Sequence, residues 1–147
     1  MVFFIFMGAA SAASTDKNVN LNDKRFSTVN LPFVENHGQI ADKSVKYSAN
    51  TFIGNVYVKD KGIVYSLTKD KKGWIVTESF LKANDVTVKG KNPTKTKVTY
   101  YKGKNVQKNL ATYSTVQYTN LYKGVNLNLK AHGKNIEKSV REVRGSR

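Results

Sequence analysis

Val125-Asn126-Leu127-Asn128-Leu129-Lys130-Ala131 carries an apolar side chain at every odd position and a polar one at every even position. Successive side chains of a strand point to opposite faces. A period of two therefore sorts Val125, Leu127, Leu129 and Ala131 onto one face and Asn126, Asn128 and Lys130 onto the other. A helix would scatter the same residues round its circumference. The stretch reads as a half-buried strand, and so as part of an antiparallel sheet with one wet face.

The same signal recurs on the N-terminal side. Val56 and Val58 share a face, and so do Ile63, Tyr65 and Leu67. Lys59-Asp60-Lys61-Gly62 lies between them and reads as a turn whose glycine supplies φ > 0. Residues 52–58 and 63–68 are thus predicted to form a hairpin. Asp70-Lys71-Lys72-Gly73 makes a second turn, followed by a strand from Trp74 to Phe80. Further strands are predicted over 85–89, 96–102, 112–118 and 125–131. Gly90, Gly103, Gly124, Gly133 and Asn92-Pro93 punctuate them. Valine (17 residues), threonine (12) and tyrosine (8) are plentiful, as a pleated half-buried surface favours. The one helical signal is a short turn over 107–111. The expected fold is all-β, with sandwich-like antiparallel sheets of about 7–9 short strands.

The chain has 147 residues, enough for one domain. It has no cysteine, which excludes disulfides, thiolate catalysis and cysteine-ligated metals. Two histidines and ten acids leave little material for acid–base chemistry. No apolar run reaches the roughly 18 residues that span a bilayer. Residues 1–13, MVFFIFMGAASAA, hold a short apolar run followed by Ala10-Ser11-Ala12, the small-x-small pattern of a signal-peptidase site. They are expected to be a signal peptide cleaved after Ala12 or Ala13; the competing reading is an N-terminal strand. Residues 14–30 are polar and aperiodic and read as a linker.

Two motifs carry a resemblance. Glu35-Asn36-His37-Gly38-Gln39 is similar to an E-N-x-G-Q opening. Tyr113-Ser114-Thr115-Val116-Gln117-Tyr118-Thr119-Asn120-Leu121-Tyr122-Lys123-Gly124-Val125-Asn126-Leu127 is similar to a Y-x-x-V-x-Y-x-x-L/I-Y-x-G-V/I-D/N-L signature. Both resemble an uncharacterised β-rich N-terminal domain that precedes β-propeller repeats in secreted bacterial and archaeal surface proteins. The resemblance covers about Leu31 to Lys138. It implies an exported β-rich module with no catalytic residues to carry over. Glu35, Asn36, Gly38, Gln39, Tyr113, Tyr118, Tyr122 and Gly124 are expected to be structural members of its motifs. The family continues with an apolar strand after Lys138, whereas Ser139 to Arg147 reads SVREVRGSR. An irregular basic tail over 139–147, at a truncated end, is therefore expected.

Glu35 and His37 also invite an acid–base reading, but Asn-x-Gly is a tight-turn sequence and a turn is the expectation. His132, before Gly133, reads as a turn residue rather than a metal ligand. Trp74 reads as a core or rim aromatic, with a sugar platform as the alternative. The unusual feature is charge. Lys+Arg is 25 against ten acids, for a net +15. No acid occurs from Val86 to Ile136, while Lys89, Lys91, Lys95, Lys97, Lys102, Lys104 and Lys108 follow in close order. Such a field attracts polyanions. Arginine is scarce (four residues), so bidentate nucleic-acid recognition is poorly supplied and no nucleic-acid partner is expected. The expected function is a non-enzymatic structural or adhesive module of an exported prokaryotic cell-surface protein, without metal or cofactor. The alternative is a basic module that binds acidic cell-wall polymer.

Overall fold

The computed structural model describes residues 31–52 and 54–143, together with the backbone of residues 3–6. Every strand pair among them is antiparallel. The strands are β1 (Phe3–Phe6), β2 (Phe33–Glu35), β3 (Val45–Thr51), β4 (Gly54–Lys59), β5 (Gly62–Lys69), β6 (Lys72–Ser79), β7 (Lys89–Pro93), β8 (Val98–Lys102), β9 (Asn105–Leu110), β10 (Thr112–Tyr122), β11 (Val125–His132) and β12 (Asn135–Glu142). A nine-stranded sheet runs β12-β11-β10-β2-β3-β4-β5-β6, with β7 branching from β10; β1, β8 and β9 form a second, three-stranded sheet.

The period-two faces are the ones the large sheet buries. Leu127, Leu129 and Ala131 turn inward on β11, Val56 and Val58 on β4, and Ile63 on β5. They meet Phe33, Val116, Tyr118 and Leu121 in one core, round which the sheet curls as a half-barrel. Each fully buried aliphatic side chain stabilises this core by ~2 kcal/mol. The second sheet packs on the outer surface, where Val34, Val98, Tyr100 and Leu110 form a separate cluster. That pairing is the locally sandwich-like part of the molecule.

β10 organises the branch. Thr115, Val116 and Gln117 pair on one side with Lys130, Leu129 and Asn128, and on the other with Lys91, Gly90 and Lys89. Beyond Tyr118 the register shifts before Tyr122 meets Val125, so β10 carries a bulge there. Asn120 adopts a left-handed φ of 55° within it. Asn84 Nδ2 donates to the Asn120 carbonyl at 2.7 Å and Asn126 Oδ1 accepts from Asn120 N at 2.7 Å.

Several expectations are corrected. Among the described residues twelve strands form rather than seven to nine, because β2, β3, β9 and β12 are short or mix small and polar residues into the pattern. The helical turn over 107–111 is absent; Gln107 to Leu110 belong to β9, and Ala111 joins it to β10. The strand expected over 85–89 lies at Lys89–Pro93 instead, where β10 offers it a ladder. Ser139–Glu142, expected to be irregular, continue β12 by pairing with β11. Gly62 does not serve as a left-handed turn residue. It sits in β5, where a Cβ would meet the Glu78 carbonyl oxygen at 2.3 Å, so close backbone approach requires the glycine. In the next hairpin Asp70 and Lys71 take φ of 49° and 62°, a primed turn closed by Lys69 and Lys72, so Gly73 lies in β6. Phe3–Phe6 lies within the expected signal peptide and forms β1 beside β8. The expected cleavage site, the linker over 14–30 and residues 144–147 lie outside the described residues.

Tyr118 is fully buried, and its hydroxyl donates to the Lys59 carbonyl at 2.6 Å. Tyr118→Phe leaves that carbonyl without its partner and should cost ~1–2 kcal/mol. Tyr122 is 38% exposed and its hydroxyl donates to the Leu81 carbonyl at 3.1 Å. Water can replace that bond, so Tyr122→Phe should stay within about 0.5 kcal/mol. Urea denaturation of both variants checks the difference; equal losses would contradict it.

Candidate functional site

Asn36 holds together the loop that follows β2. Its Oδ1 accepts from Gly38 N at 3.0 Å and Ile40 N at 3.1 Å, while Nδ2 donates to the Val45 carbonyl at 2.9 Å and the Ile40 carbonyl at 3.3 Å. Gly38 sits at φ 104°, where side chains are rarely tolerated. Gln39 is buried, accepting from His37 N at 2.7 Å and donating to the Glu35 carbonyl at 2.6 Å. The E-N-x-G-Q residues thus close their own loop, an Asx turn extended by a buried amide. Glu35 accepts from the Tyr113 hydroxyl at 3.3 Å and lies 3.5 Å from His37 Nε2. The His37 side chain is about half exposed.

The tyrosine motif is equally absorbed by the fold. Tyr113 meets Tyr47 edge-on with ring centroids 5.7 Å apart. A Cβ on Gly90 would come within 2.6 Å of the Tyr113 ring, and Gly90 N donates to the Tyr47 hydroxyl at 2.8 Å. Tyr118 meets Phe80 edge-on at 5.1 Å. Burial raises the pKa of Tyr118 strongly, and that of Tyr47 and Tyr113 to a lesser extent. All three stay neutral hydrogen-bonding groups at physiological pH. Gly124 turns β10 into β11 at φ 73°, its N–H donating to Asn120 Oδ1.

The seven lysines are all exposed, and among the described residues none of them joins an ion pair. The structure divides them. Lys89 and Lys91 lie on β7 of the large sheet, Lys95 and Lys97 in the loop before β8, Lys102 and Lys104 about the β8–β9 turn, and Lys108 on β9. It also adds one that linear spacing hides. Lys91 pairs with Thr115 and Thr115 with Lys130, so Lys130 lies in register with Lys91 two strands away, roughly 10 Å off. Lys89, Lys91 and Lys130 therefore share one outward face of the sheet. Glu137 stands opposite Lys130 on β12 and bounds this face. His132 ends β11, 4.0 Å from Glu137. Trp74 is a half-exposed rim residue of β6. Among the described residues no three His, Asp or Glu side chains gather where a metal ion could be held.

A groove of about 310 Å³ opens between the sheets, lined by apolar Val34, Ile40 and Val98 and by the amides of Asn50 and Asn55. Neither Glu35 nor His37 lines it.

Asn36→Ala removes bonds to three segments of the loop and should cost ~1–3 kcal/mol in urea denaturation; a neutral result would deny the residue its anchoring role. Asp42, in the same loop, accepts from Lys59 Nζ at 2.8 Å and from the Ser44 hydroxyl at 2.6 Å. Chiefly the Lys59 bond holds its pKa down at about 2 against an ordinary 3.8. The folded pKa is the lower one, so this stabilisation is present above pH 3.8 and is lost as pH falls through about 2. Asp42→Asn should flatten the fall in urea midpoint over that window; an unchanged slope would contradict the assignment.

No curated protein and no solved structure matches the chain. The family model of a domain of unknown function, DUF7948, matches residues 33–141, from the first residue of β2 almost to the end of β12. It takes in both the Asn36 loop and the tyrosine strand, and the chain belongs to the DUF7948 family.

Proposed function

We propose that this chain is a non-enzymatic structural or adhesive module of an exported prokaryotic cell-surface protein. Its lysine-bearing surface would serve as a contact for acidic surface polymer. The observation that carries the second part is the segregation of charge. Asp42, Asp60, Asp85 and Glu78 are each neutralised by a lysine, namely Lys59, Lys46, Lys61 and Lys138. The lysines of β7, β8 and β9 have no such partner among the described residues, and a field of one sign draws a polyanion. The motif residues most open to a chemical reading support the first part, because Asn36, Gln39, Tyr113 and Tyr118 are engaged in holding backbone and rings. Export rests on the signal-like residues 1–13, and a place before propeller repeats rests on the motif resemblance.

Polyglycerol phosphate of defined length is a direct probe. Binding by the 147-residue chain should weaken steeply as salt rises, because each lysine–phosphate contact releases a counterion. The triple variant Lys89→Gln/Lys91→Gln/Lys130→Gln should bind more weakly and with a shallower salt slope. Binding indifferent to salt, or none at low salt, would reject the polymer reading.

A further inference from the structure

The β6 edge of the half-barrel carries three consecutive apolar residues in the open: Trp74 is 49% exposed, Ile75 67% and Val76 50%. β6 ends the large sheet and, among the described residues, pairs on one side only, with β5. The hairpin geometry says which of its backbone groups are free. Lys69 and Lys72 close a two-residue primed turn, so Lys72 faces β5 with its N–H and C=O. Trp74, Val76 and Glu78 follow the same parity, and Phe80 N, two residues on, donates back to the Lys61 carbonyl at 3.1 Å. Gly73, Ile75 and Thr77 therefore present their N–H and C=O to the outside, and none of the three has a charged side chain to block an approaching strand.

We infer that this edge takes the β6 of a second copy of the chain, antiparallel and centred on Ile75. The sequence is self-complementary in that register. Hydrogen-bonding parity requires odd residues to face odd residues. Centring on Ile75 sets Gly73 against the partner's Thr77, Trp74 against the partner's Val76 and Lys72 against the partner's Glu78. Each end of the junction then holds an opposite-charge pair, and Ile75 meets its own copy on the two-fold axis. Glu78 already binds Lys138 at 2.6 Å and the Tyr65 hydroxyl at 3.2 Å, both through Oε2, which leaves Oε1 for a second cation. Centring on Trp74 or Val76 keeps that parity but loses the charge match, setting Glu78 against the partner's Asp70 or against its Trp74. Centring two residues away, on Gly73 or Thr77, loses the Lys72–Glu78 match. A single strand pair is a small interface, so the dimer is concentration-dependent. Net charge of +15 on each copy opposes it, so raised salt is the condition that favours it. This assembly goes beyond the proposed polymer contact and uses a different part of the sheet.

The chain has no cysteine, so engineered thiols report without background. Directly opposed residues of a hydrogen-bonded pair have Cα atoms about 5.5 Å apart, within disulfide range. Under oxidation at raised salt, without polymer, Ile75→Cys should yield a covalent dimer. Thr77→Cys, on the same strand and face but opposed to Gly73, should not. In sedimentation equilibrium the unmodified chain should approach twice its monomer mass as concentration rises from micromolar to millimolar. Ile75→Lys should remain monomeric with its strand circular dichroism unchanged. Should Ile75→Lys fail to fold, the two cysteine variants decide alone. Monomer throughout with no Ile75→Cys cross-link overturns the inference, and so do equal cross-links at both positions. Either failure leaves the salt-dependent polymer experiment untouched.

Discussion

A phenol sealed inside a sheet has to find a hydrogen-bond partner, because the cost of burying an unpaired hydroxyl exceeds what the bond itself contributes. Tyr118 meets that requirement by reaching from β10 to the Lys59 carbonyl, at the turn between β4 and β5. The contact spans 59 residues of sequence and three to four of the seven strand-to-strand steps across the large sheet. A flat sheet could not place those strands together, so the bond demands the curl. Phe80 packs edge-on against the same ring and ties in the chain just beyond β6. The bulge after Tyr118 bends β10 where the curl needs it. One buried oxygen thus ties β10 to the β4–β5 turn through the middle of the core.

Strands with clean alternation were readable from sequence because their inward face is apolar throughout, even where an outward residue such as Asn128 is covered. β11 and β4 are the examples: their inward residues are apolar and their outward ones polar. β3 turns Tyr47 and Ala49 inward, but a register shift puts Val45 opposite Lys59 on the other face, the inward alanine is small and the outward Ser48 is buried as well. Periodicity weakens when both faces are covered, and here the second sheet covers the other face. β12 has only Ile136 and Val140 to announce it, because an edge strand buries little. Its place is set by eight register pairs with β11 rather than by its own hydrophobicity. The glycines show a different limit. Gly62 and Gly90 are required by a carbonyl and a ring that arrive from another strand, and no local turn rule anticipates that.

The candidate site divides along the same line. The Asn36 loop was legible because its hydrogen bonds are mostly local: its amide groups serve backbone two to nine residues away. The lysine face was only half legible. Linear spacing gathered Lys89 through Lys108, yet β7 and the β8–β9 hairpin belong to different sheets. Meanwhile Lys130, far along the chain, comes into register with Lys91 through Thr115. Charge density along a sequence measures surface density only where the strands involved are neighbours.

The two ends of the large sheet are protected unequally. β12 carries Glu137, Lys138, Arg141 and Glu142 within eight residues, so a strand approaching it meets charges of both signs at close intervals. β6 keeps its charges at its ends and leaves Trp74-Ile75-Val76 between them. The edges are linked across the mouth of the half-barrel by Lys138 and Glu78 rather than by a backbone ladder. The hydrogen bond to Glu78 raises the pKa of Lys138, so this lysine stays charged through the neutral range. One partly exposed ion pair is worth about 1 kcal/mol or less. That is far below what a row of strand hydrogen bonds and apolar contacts supplies, so the mouth is held near closure without being sealed. Keeping the apolar edge open forgoes the stability of a closed barrel, and such an edge is retained without aggregation only where something limits its pairing. Here the limit is charge, because a second copy must overcome the repulsion of +15 before its strand can dock.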